Sequence, residues 1–121
     1  IRYADVLLLY AECLNDRGYT TETINIINKV RARVSVPALP LTMSKAEVLK
    51  HLQEKERPCE LALEGSRWYD LIRWGIVEGT LKAHNIPFVE NYVDTKHQLL
   101  PIPHSEFLLN PDWEQNPNYS K

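Results

Sequence analysis

Between Arg2 and Arg17 apolar side chains fall on almost every face of a helix. Ala4, Leu7, Leu8, Ala11 and Leu14 recur at the spacing of one helical stripe, and Val6, Leu9, Tyr10 and Cys13 make most of the opposite side apolar as well. A helix of this kind needs neighbours on two sides, which commits the chain to a packed assembly of helices. Asn15-Asp16-Arg17-Gly18 closes it, with Gly18 suited to a left-handed C-cap.

A second helix is expected at about 21–35, with Thr20 or Thr21 as N-cap and Ile24, Ile27, Val30 and Val34 as its seam. Pro37 and Pro40 stop it. With its Gly18-Tyr19 turn, Thr23 at the crossing point and the terminal Pro37, the pair resembles a tetratricopeptide hairpin. About three or more such units are needed to bury one another's faces, so this hairpin wants neighbours.

The sharpest local signal follows. Ser44-Lys45-Ala46-Glu47 reads as a capping box, with Met43 and Val48 placed for a hydrophobic staple. Val48, Leu49 and Leu52 face inward. Pro58 then forces the third helix either to kink or to end near Arg57 and restart with the proline in its first turn. Gly65 breaks the run that carries Leu61 and Leu63. A fourth helix holds Arg67 to Trp74, and Gly75 ends it. Beyond it Gly79, Pro87, Asn91, Pro101, Pro103, Pro111 and Pro117 punctuate the chain and helical periodicity fades. Gln98 to Pro103 reads as extended, His104 to Leu109 as a helical turn, and Trp113 to Tyr119 as a loop laid over the helices. The fold class is therefore all-α: tetratricopeptide-like hairpins followed by an irregular, Pro-rich segment. The expected divisions are a hairpin at 1–40, a helical pair at 44–75 and a tail at 76–121.

With 14 basic and 16 acidic residues the chain has no basic field to attract nucleic acid. Its longest apolar run is too short to span a bilayer. Cys13 and Cys59 are too few and too separated for a disulfide scaffold or a zinc site. Both sit among apolar helical residues, where a free thiol is expected to behave as a small buried hydrophobe. His51, His84, His97 and His104 show no metal-ligand spacing and read as surface or capping residues. No cofactor motif, phosphate loop or nucleophile elbow is present, and nothing points to an enzyme.

Four pieces in order carry a family resemblance. They are Arg2 to Glu12, then Ile27-Asn28-Lys29-Val30-Arg31-Ala32-Arg33, then Glu56-Arg57 with Glu60 through Gly75. The last is Leu100-Pro101-Ile102-Pro103 with Glu106, Asn110-Pro111 and Gln115-Asn116-Pro117. Across nearly the whole chain they resemble the C-terminal region of the SusD/RagB family, departing from it at Pro58 and Ser66. The resemblance implies a surface lipoprotein of a bacterial outer membrane, lipid-anchored through an N-terminus missing from this chain. It also implies binding of an oligosaccharide or other nutrient and delivery to a TonB-dependent outer-membrane transporter. In that family the sugar site is generally built outside this portion, which makes the chain mainly scaffold. The alternative is a tetratricopeptide-like scaffold for protein partners with no sugar site.

Two groups of residues are candidates for function. Glu64, Arg67, Trp68, Asp70, Arg73 and Trp74 mix arginines that could grip hydroxyls with rings that could stack on a sugar. Their spacing favours a structural network of ion pairs and aromatics instead. If the helix continues through Pro58, Glu56, Glu60 and Glu64 share one helix face rather than opposing each other as a glycosidase pair does, so they too read as structural. Tyr92, Trp113 and Tyr119 lie in the irregular tail and are the candidates for glycan stacking, against the plainer reading that they pin the tail in place.

Overall fold

The structure, a computed structural model, describes residues 1–120. All its regular elements are helical among these residues. The chain divides into two compact units, one ending at Asp70 and one beginning at Leu71.

In the first unit α1 (Tyr3–Asp16) and α2 (Thr20–Ala32) form a hairpin. Gly18, at φ +89°, lets the turn close, because only glycine enters that region without steric cost. Its N–H bonds Asn15 O and the Tyr19 N–H bonds Leu14 O, the paired bonds of a Schellman cap. The helix begins at Thr20 with Tyr19 as N-cap and no side-chain cap bond, so the expected threonine cap does not form. Its end comes at Ala32, earlier than the prolines require: Ser35 turns left-handed and Val36 N–H returns to Arg31 O.

α3 (Lys45–His51) lies against the hairpin. Its capping box is complete, Glu47 N–H donating to Ser44 Oγ and Ser44 N–H to Glu47 Oε2. Leu8 and Ala11 of α1, Ile24, Ile27 and Val30 of α2, and Val48 and Leu52 make one buried cluster, with Met43 packed against it. Thr23 is fully buried; its hydroxyl lies 2.9 Å from Tyr19 O and 3.2 Å from Ala11 O on the facing helix. A small residue that satisfies its own hydroxyl is what a close helix crossing demands.

The other side of α1 is not covered. Tyr3, Val6, Leu9 and Tyr10 are exposed, and so is Cys13. Cys59 is exposed as well, which corrects the expectation of buried thiols. Both cysteines lie in apolar stretches, but on the outward face of their helices.

Pro58 takes the second expected route, a restart that places it in the first turn of a new helix, but the join before it is a π-turn rather than a helix end. The helix continues through a π-turn, Leu52–Glu56, into α4 (Arg57–Glu60), with Pro58 in the first turn of α4. Arg57 N–H reaches back five residues to Leu52 O. One extra residue per turn moves the proline ring relative to the carbonyls it would otherwise strike. Leu63 and Gly65 then adopt positive φ and the chain turns into α5 (Arg67–Trp74), which straddles the division between the units.

In the second unit Gly75, at φ +66°, ends α5 with a Schellman cap, Ile76 N–H to Leu71 O. Residues 76–86 are not irregular as expected: α6 (Val77–Ala83) forms there, closed by left-handed Asn85 and carrying a Lys82–Glu78 pair at 2.6 Å. A short 3₁₀ turn (Pro87–Asn91), α7 (Asp94–His97) and α8 (His104–Leu109) follow, with extended chain between them. Leu71, Val77 and Phe107 are its buried apolar side chains.

Candidate functional site

Most of the charged residues of the first three motif pieces that make ion pairs lie in the first unit. Arg57, only 3% exposed, donates from Nε to Asp70 Oδ2 at 2.9 Å and from Nη2 to Asp70 Oδ1 at 3.1 Å. Its Nη1 lies 3.0 Å from Asp5 Oδ1 on α1. That contact is ionic but off the hydrogen-bonding direction, since neither atom counts a hydrogen-bond partner. One guanidinium thus ties the start of α1, α4 and the middle of α5.

A second knot lies at the same end of α1. Arg2 donates to Glu60 Oε1 at 2.8 Å, to Glu64 Oε2 at 3.0 Å and to the Glu60 carbonyl. Arg33, just past α2, donates from Nη2 to both Glu60 oxygens at 2.8 Å. The Arg2 hydrogen bond holds the Glu64 carboxyl below the usual carboxylate range, the opposite of what a general acid requires. Glu64 and Glu60 in turn push the Arg2 pKa up.

The third knot depends on the π-turn. Glu56 Oε2 accepts from Arg31 Nη1 at 2.6 Å and lies 2.9 Å from His51 Nε2. Side chains five apart diverge on an α-helix; the extra residue of the π-turn brings His51 and Glu56 onto one face. Each of the three glutamates expected on a shared face is therefore held by an arginine from another element.

Arg67 does something different. Its Nη1 donates to Gln53 O at 2.8 Å. In an α-helix that carbonyl would accept from Arg57 N–H, which here bonds Leu52 O. In a π-helix it would accept from residue 58, a proline with no N–H. Arg67 supplies the donor that Pro58 removes. Burial pushes the Arg67 pKa down, countered by the nearby Asp70 charge. Trp68 and Trp74 are half-buried, and Arg73 lies over the Trp74 ring at 4.4 Å.

An open cleft of about 610 Å³ is lined by Val30, Val34 and Val36 together with Arg2, Arg33 and Glu60. Its Glu60 and Glu64 carboxylates already accept from the arginines beside them. Among the described residues no cluster of three metal-ligating side chains forms, and no helix is long and apolar enough to cross a membrane.

The tail candidates sit in the second unit. Tyr92 donates to Asp94 Oδ1 at 2.6 Å and stacks on His97, with Phe88 edge-on to both rings. Burial and the Asp94 carboxylate push its phenol up to about 12. His97 Nδ1 accepts from Val93 N–H at 2.8 Å, a capping role for α7. Tyr119 donates to Leu99 O at 3.2 Å and lies under Lys96 at 4.9 Å, while Trp113 stays 49% exposed. His97 takes one of the roles expected of it, a helix cap, while Phe88 carries no local signal beyond its spacing from Tyr92.

The last motif piece is explained here too. The Gln115 amide bonds both Ile102 N–H (2.8 Å) and Ile102 O (2.9 Å), and Asn116 Nδ2 donates to Leu100 O at 2.6 Å. Two side chains thus imitate a neighbouring strand for the segment at 100–103, whose prolines prevent ordinary pairing.

These features define a class: an all-α, tetratricopeptide-like module whose charged motif residues bind helix to helix. The family model described as the SusD family matches residues 1–119, and the chain belongs to the SusD/RagB family. SusD-like protein P38 of Formosa agariphila is 34% identical over 98% of this chain, and SusD-like protein P25 of the same organism is 37% identical over 91%. A SusD superfamily protein of Bacteroides vulgatus superposes with a TM-score of 0.85 at 35% identity, covering 98% of this chain and 27% of that structure. A SusD homolog of Bacteroides thetaiotaomicron gives 0.82 at 35% identity, covering 98% and 26%. The chain spans about a quarter of the length of the curated relatives it matches.

Proposed function

We propose that this chain is the C-terminal scaffold of a SusD-like protein that binds oligosaccharide at the bacterial cell surface. The protein passes the sugar to a TonB-dependent outer-membrane transporter and is held to the outer membrane by a lipid at an N-terminus outside this chain. It binds and does not cleave. Family membership supports the binding role. The scaffold role for these residues rests on one observation: the arginines and carboxylates of the motifs are engaged with one another and with backbone. Arg2, Arg33 and Arg57 hold Glu60, Glu64, Asp5 and Asp70, so gripping a sugar would mean breaking helix-to-helix bonds. Two of the three tail aromatics are also occupied, Tyr92 by Asp94 and His97, Tyr119 by Leu99 O and Lys96.

Calorimetric titration of an oligosaccharide panel into the full-length protein and into residues 1–121 tests this reading. Binding by the full-length protein alone supports it. Binding by residues 1–121 would relocate the site to this chain. Silence from a folded full-length protein would favour a scaffold for protein partners.

A further inference from the structure

We draw no further inference here: the strongest candidate, the outward face of the α1–α2 hairpin where Tyr3, Val6, Tyr10 and Tyr19 are exposed, carries none because nothing in the structure shows what covers it.

Discussion

Arg67 is the place to test how a proline is tolerated inside this helix. Substituting leucine keeps an apolar stem and removes the guanidinium that reaches Gln53 O. With Pro58 present that carbonyl has lost both possible backbone donors, so the change strands an acceptor. A stranded buried polar group costs about 1–3 kcal/mol. Gln53 and Arg67 are both half-buried and water reaches part of the site, which places the loss in the lower part of that range, about 1–2 kcal/mol. In a Pro58→Ala background the residue 58 N–H can serve Gln53 O itself. There Arg67→Leu should cost no more than about 0.5 kcal/mol, as for a dispensable surface contact. Urea unfolding of the four proteins, followed by far-UV circular dichroism, gives the coupling from the midpoints if the slopes agree. The account expects a coupling of about 1 kcal/mol, against about 0.3–0.5 kcal/mol of scatter for independent sites. Additive losses would refute the claim that Arg67 replaces the missing donor.

Asp70→Asn should destabilise by about 3 kcal/mol, the lower end for stranding a buried charge, because Asp5 still faces Arg57. Arg57→Leu should be worse, since it strands two carboxylates; the same unfolding assay ranks the pair, and equal small losses would count against a buried triad. Ser44→Ala should cost about 1 kcal/mol through the lost cap. The bonds from Ser44 N–H and Oγ hold the Glu47 carboxyl low, so its contribution is present above the ordinary carboxylate pKa and is lost as pH falls through the depressed one. Protection of the Ser44 amide, relative to the chemical exchange rate at each pH, should fall on acidification, and protection that does not change with pH would argue against the reciprocal bond. Ultraviolet titration of the phenols should show one tyrosine ionising near pH 12, absent in Tyr92→Phe. Its raised pKa means the folded state holds its proton longer, so stability falls between the ordinary tyrosine pKa and the raised one.

Local devices were legible from sequence and long-range partners were not. The capping box at Ser44 and the left-handed glycines at 18 and 75 are written within a few residues, and each appears where the pattern puts it. The hairpin and the Ile24, Ile27 and Val30 part of its seam follow from periodicity; Val34, the fourth expected seam residue, falls beyond the end of α2 and is exposed. Arg57 could not be matched to Asp5 and Asp70 in advance, because that pairing exists only once α1, α4 and α5 meet. The π-turn was hidden for a related reason. A proline admits several local answers, and the one adopted needs a donor from Arg67, nine residues further on. α6 carries little sequence signal because seven residues containing Gly79 give barely two turns of periodicity. For the cysteines residue type suggests burial, whereas exposure depends on which face the assembled helices leave open.

The account's central claim is that this chain positions rather than grips. Its most direct test is affinity of the full-length protein for the oligosaccharide that the titration panel selects, before and after Tyr92, Trp113 and Tyr119 are changed together to alanine. The account predicts a dissociation constant unchanged within about twofold, under 0.5 kcal/mol. A loss of about tenfold or more, roughly 1.4 kcal/mol, in a variant whose far-UV spectrum is unaltered would place the sugar on these rings and contradict it.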